Sequence, residues 1–170
     1  MNVATGSRIA IADADAPFHA SLRAAFGLAP AARALEPHGL AYCGAEYRVY
    51  PFMRIADAVR FFSAVHERWD AAQLAGDFAL AGLNGSFEVR RMKRAYQRTL
   101  VLALSAASLP ATLVVERADE FDEPPARALL ERAIRRAPAA LVTFEAAAPD
   151  DPSLFTSVVP ANAFDLRAVS

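Results

Sequence analysis

Asp13 and Asp15 sit on either side of Ala14 in the run RIAIADADAPFHA, and His19 follows close behind. Carboxylates beside an imidazole could hold a cation or move a proton. No Cys or second His stands nearby at metal-ligand spacing. The plainer reading is therefore polar turn residues at a strand-to-helix junction, with a partly exposed His19 at the helix start. Glu116 and Arg117 open an acidic run that continues with Asp119, Glu120, Asp122 and Glu123. It could bind metal, but a solvated loop is the simpler account. Arg90, Arg91, Lys93, Arg94 and Arg98 form the densest basic cluster. They fall at the start of a helix, where the macrodipole disfavours cations, so something anionic could face them. A surface cluster neutralised by Glu88 and water is the default. Tyr47, Tyr50 and Phe52 make an aromatic loop that is hard to bury entirely. A partner surface and ordinary core packing both stay open for it.

The chain that must position these groups has 170 residues, 55% hydrophobic and 22% charged. That suits one domain with a real core. The formal net charge is −1, so no global field favours nucleic acid or an anionic membrane. Cys43 stands alone and in an apolar stretch, which implies a reducing compartment. The apolar run near the N-terminus is broken by Asp13 and Asp15 and is too short for a signal peptide or a membrane span. A cytoplasmic chain is the expectation.

Apolar periodicity gives the elements. RIAIA, LAYC, ATLVVE and AALVTFE read as short buried strands, with one more expected near residues 164–166. A helix begins around Pro17, with Phe18, Leu22 and Phe26 on one face. Another spans RIADAVRFFSAVHERW, with Ile55, Val59, Phe62, Val65 and Trp69 at helical spacing. Asp70 and Gln73 suggest a capping box opening DAAQLAGDFALAG, and Asn84-Gly85 a turn. A long helix is predicted over 92–108, stopped by Pro110, and a last one after Pro124-Pro125. Strands alternating with helices predict an α/β fold, a mostly parallel sheet flanked by helices. Within one domain, 1–52 and 110–170 would form the α/β core and 53–109 a helical subdomain.

The segment MKRAYQRTLVLALSAASLPATLVVERADEFDEP resembles an ABC-transporter ATPase, from its signature helix through its strand to the loop after it. Pro110, the strand at 112–115 and Pro124 keep that register. AYCGAEYRVYPFMRIADAVRFFSAVHERWD is similar to the family's Q-loop and following helix, and GSRIAIADADAPFHASLRAAFGLAP to its first strand, phosphate loop and helix. The resemblance covers residues 6–145 and implies a P-loop NTPase-like fold.

The functional positions of that family are replaced. Its phosphate loop needs glycines, a Lys and a Ser/Thr pair to cradle phosphates and hold Mg²⁺. Here Phe18, His19 and Ala20 stand at the Lys, Ser and Thr positions, and Asp13 and Asp15 bring negative charge. Glu116 falls at the metal-coordinating Asp, Arg117 at the catalytic Glu, Ala45 or the neighbouring Glu46 at the Q-loop Gln, and Glu145 at the switch His. Lys93 replaces the signature Ser. Too few residues precede the first strand for the family's antiparallel β subdomain. The resemblance thus implies a non-catalytic subunit with no cofactor and no metal, and with no nucleic acid among its partners. Its partner would be an ABC ATPase, a permease subunit or a second copy, and it would meet the inner face of the membrane only through a permease. Tyr47, Tyr50, Phe52, Lys93 and Arg94 are the expected contact residues. A repurposed nucleotide-dependent enzyme using Glu116 and His19, or a stand-alone scaffold, are the alternatives.

Overall fold

Short apolar runs alternating with amphipathic stretches build a parallel sheet. The computed structural model describes residues 4–25, 39–44, 49–145 and 149–165. Strands β1 (Arg8–Ala12), β2 (Leu40–Cys43), β3 (Thr112–Val115), β4 (Ala139–Thr143) and β5 (Ser157–Pro160) lie in the order β2-β3-β4-β1-β5. Every pairing is parallel. Helices α1 (Ala16–Ala25), α2 (Ile55–Val65), α3 (Ala71–Ala81), α4 (Arg94–Ala107) and α5 (Pro124–Arg136) complete the α/β fold that the alternation predicts.

The two faces of the sheet follow from the period of two along each strand. Ala41, Cys43, Leu113, Val115, Ala140 and Val142 join the large core beneath α4 and α5. Ile11, Tyr42, Val114, Ala139 and Leu141 join a smaller core on the other face, closed by Leu22 of α1. Thr143, at the end of β4, and Glu116, one step past β3, continue this second face by the same alternation.

Helix α4 is buried all round from Arg98 to Ala107, as a helix sandwiched between sheet and other helices must be. Each of its buried leucines contributes about 2 kcal/mol of apolar burial. Helix α3 ends in the left-handed Gly82 (φ 65°), which only glycine adopts freely. The Arg8 guanidinium donates to the carbonyls of Ile134 (3.1 Å) and Arg135 (3.0 Å), satisfying the carboxyl end of α5.

Several expectations need correction. The last strand is Ser157–Pro160, pairing with β1, and 164–165 are not strand. Pro160 ends it, because a proline cannot donate to a further ladder bond. Helix α2 stops at Val65, since His66 turns to an extended conformation; Val65 is then exposed, and Trp69 stacks on His66 outside the helix. The long helix begins later than predicted, after a 3₁₀ turn at Val89–Arg91. The Asp70 cap is present, accepting the Gln73 N–H at 2.7 Å. Phe26 lies outside the described residues.

Candidate functional site

In open parallel sheets, ligands sit beyond the carboxyl ends of the strands. Here β1 passes into α1 through Asp13, Ala14 and Asp15. Asp13 is left-handed (φ 54°), a conformation Asp tolerates, and the Ala14 N–H donates to the Phe144 carbonyl at 2.9 Å. Asp15 caps α1: its carboxylate accepts the Phe18 N–H at 2.8 Å. Pro17 brings no N–H to the first turn. The start of the helix, the place where backbone donors and the macrodipole attract an anion, already holds the chain's own carboxylate. Phe18 packs edge-on against Phe164 at 6.2 Å, and Ala20 faces solvent.

His19 is not the partly exposed residue that its place at a helix start suggests. It is 4% exposed, and its Nε2 lies 2.9 Å from Thr143 Oγ1. The same hydroxyl accepts the Arg117 N–H at 3.0 Å, so its proton is free to go to an unprotonated Nε2. Burial lowers the His19 pKa and favours that neutral ring, against the pull of the Glu116 and Glu145 carboxylates.

The solvated-loop account holds for the exposed Asp122 and Glu123 but fails at Glu116. It is fully buried and paired with Arg23 of α1 at 3.1 Å. The Tyr42 hydroxyl is buried beside them but makes no hydrogen bond of good geometry. Burial first, and then the Glu116 carboxylate, raises its pKa. The Tyr42 ring lies across Gly44, where a Cβ would come within 2.5 Å of Cε1. Gly44 is glycine because the ring needs that space.

Arg117 turns back through a left-handed conformation (φ 50°), a strained one for a non-glycine residue. Its surroundings hold it there. The Arg98 guanidinium, buried beneath the loop, donates to the carbonyls of Glu116 and Arg117 and to the Glu120 carboxylate. It also lies 4.7 Å from the Phe121 ring centre. Arg117 reaches Glu120 at 2.9 Å and forks onto Glu145, Nη2 to Oε2 at 2.9 Å. The Nε contact to Oε1, at 2.8 Å, lies off the hydrogen-bond line. The Glu145 N–H donates to Asp119 at 3.0 Å. The two positions expected to carry catalytic residues thus neutralise each other.

The basic cluster divides. Arg90 and Arg91 pair with Glu88, at 2.9 and 3.2 Å, as a surface cluster should. Arg98, by contrast, is 2% exposed and structural. Lys93 and Arg94 are exposed at the start of α4, Arg94 within 3.9 Å of Glu120. Tyr50 and Phe52 are 64% and 83% exposed, which decides against core packing for these two rings. Ala45, Glu46 and Tyr47 lie outside the described residues. Among the described residues, no group of His, Cys, Asp or Glu has the arrangement of a metal site, and no helix is long and apolar enough to cross a membrane. Sequence reasoning missed Arg23, Tyr42 and Thr143. The only signal for Thr143 was a polar residue inside a buried run, and for Arg23 its place one helical turn after His19.

Neither the family models nor the curated proteins give a match to this sequence. Solved structures do. A protein described as a cobalt transport ATP-binding protein aligns with a TM-score of 0.67 at 13% identity, over 92% of this chain and 66% of that one. This chain therefore spans just under two thirds of that protein's length. An ABC transporter ATP-binding protein from Pyrococcus furiosus aligns with a TM-score of 0.72 at 8% identity, over 95% and 87%. A component of the cbiONQ ABC transporter complex of Clostridium perfringens gives 0.61 at 9% identity, over 94% and 75%. At such identities the likeness is one of fold: this chain has the fold of ABC-transporter ATP-binding subunits.

Proposed function

We propose that this chain is a non-catalytic partner or regulatory subunit, built on the ATP-binding fold of ABC transporters and acting in a membrane transport or export assembly. The observation that carries the reading is the Asp15 carboxylate on the first turn of α1, accepting the Phe18 N–H at 2.8 Å. A phosphate brought there meets Asp13 and Asp15 before it meets a donor, and Pro17 supplies none. The described residues do not fit Mg-nucleotide. The Lys and Ser/Thr positions are Phe18, His19 and Ala20, and the Glu116 carboxylate is committed to Arg23.

Use of Glu116 and His19 in a repurposed enzyme is the weaker reading, since both are buried and engaged within the fold. The exposed Tyr50 and Phe52, with Lys93 and Arg94, are the proposed contact surface, and Tyr47 completes it in sequence. A protein of this kind works at the cytoplasmic face of a membrane, held there by a permease.

Calorimetric titration with Mg-ATP and a thermal-shift series test the nucleotide half. No isotherm and no rise in melting temperature are expected at millimolar nucleotide. Steady phosphate release by the purified chain would sink the proposal. A native pull-down read by mass spectrometry tests the other half, with a transporter ATPase or permease subunit as the expected capture.

A further inference from the structure

A groove of about 750 Å³ opens between the α3–α4 connection and the first turn of α4. Leu83, Met92, Phe87 and Tyr96 line its apolar part. Phe87 and Tyr96 are 54% and 45% exposed, a large aromatic surface left open to water. The charges around it are unbalanced. Arg54, Arg91 and Lys93 face a single carboxylate, Glu88, which is already held by Arg90 and Arg91 at 2.9 and 3.2 Å. Neither Arg54 nor Lys93 makes an ion pair among the described residues. Helix α4 starts on Lys93 with no side-chain cap and no acid in its first turn, so its own N–H groups add to the positive potential.

We propose that this groove receives an acidic polypeptide segment carrying a bulky apolar side chain, contributed by a protein partner. The apolar side chain covers Phe87 and Tyr96, while flanking carboxylates meet Lys93 and Arg54. A nucleic acid is the poorer fit. It needs a broad basic footprint, whereas the positive charge here is local on a chain of net charge −1. The groove shares Lys93 with the proposed contact surface, but its test needs neither nucleotide nor permease. Its failure and that of the transport reading are therefore distinguishable.

The test is fluorescence anisotropy of the purified chain with a labelled synthetic peptide of Glu and Asp around one central Phe. Saturable binding that weakens as salt is raised is expected. Arg54→Glu combined with Lys93→Glu should weaken it about tenfold or more, and Phe87→Ser by a similar factor. Should the double reversal lower the melting temperature, Lys93→Gln carries the comparison, with a loss of about threefold. Three results overturn the proposal. One is the absence of saturable binding at submillimolar protein. Another is equal or tighter binding of the same peptide with Ser for Phe, of a single-stranded oligonucleotide, or of phosphatidylglycerol vesicles. The third is wild-type affinity in the folded variants.

Discussion

The Arg117 guanidinium and the Glu145 carboxylate meet side-on, Nε to Oε1 at 2.8 Å and Nη2 to Oε2 at 2.9 Å, bridging the loops that leave β3 and β4. Charge reversal at either end should therefore cost stability, and reversal at both should recover it. Arg117→Glu sets a carboxylate against Glu145 and Glu120, for a loss of about 1 kcal/mol or more. Arg117→Glu with Glu145→Arg should regain at least half of that in a double-mutant cycle read by urea denaturation. The single variant should still release no phosphate from ATP, because a base without a phosphate cradle has nothing to orient. Purely additive stability changes in the cycle would show the pair to be incidental.

The buried Glu116 depends on Arg23 differently. Arg23→Ala takes away a cation 3.1 Å from a fully buried carboxylate, and about 3 kcal/mol of stability should go with it. Glu116→Gln in the same background removes the buried charge and should restore part of the loss. A simple denaturation midpoint decides, since an Arg23→Ala protein as stable as wild type leaves no role for the pair.

Gly44 and Tyr42 form a steric couple. A methyl at Gly44 would press on the Tyr42 ring at 2.5 and 3.1 Å, so Gly44→Ala should destabilise by about 1–3 kcal/mol. Tyr42→Phe behaves otherwise. It deletes a buried hydroxyl that has no well-aligned partner and should leave stability unchanged or raise it by up to about 1 kcal/mol. A marked drop for Tyr42→Phe in thermal melts would mean that the hydroxyl is bound after all.

Acid should weaken the fold through His19 and His66. Burial lowers both pKa values from the ordinary 6.5, so the unfolded chain takes up protons first as pH falls. The stability contributed by the neutral rings is complete above about pH 6.5 and is lost as pH drops through the lowered folded values. Melting temperature should therefore fall as pH drops below about 6.5. His19→Gln with His66→Phe should flatten that slope, and an unchanged slope in the double variant would assign the acid sensitivity elsewhere.

The sheet was legible because buried parallel strands leave continuous apolar runs, and RIAIA, LAYC, TLVV and AALVT are such runs. The fifth strand was misplaced because SVVP is short, mostly exposed and ends in proline, so its pattern hardly differs from a loop. The positions of Arg117 and Glu145 were readable from register, but their contact was not. They are far apart along the chain and meet only because β3 and β4 are neighbours in the sheet. His19 was misjudged for a related reason. Exposure at a helix start is a local expectation, and the Thr143 hydroxyl that receives the ring comes from another strand.

Arg98 bears on how the molecule comes apart. Its guanidinium belongs to α4, yet its acceptors lie in the segment just after β3, and one apolar core runs from Ile55 of α2 to Phe144 beyond β4. The helical layer and the sheet therefore share a rivet as well as a filling. Amide protons on α4 and on β3 should exchange with deuterium at a common slow rate, as parts of one cooperative unit, with no earlier opening of the helical layer.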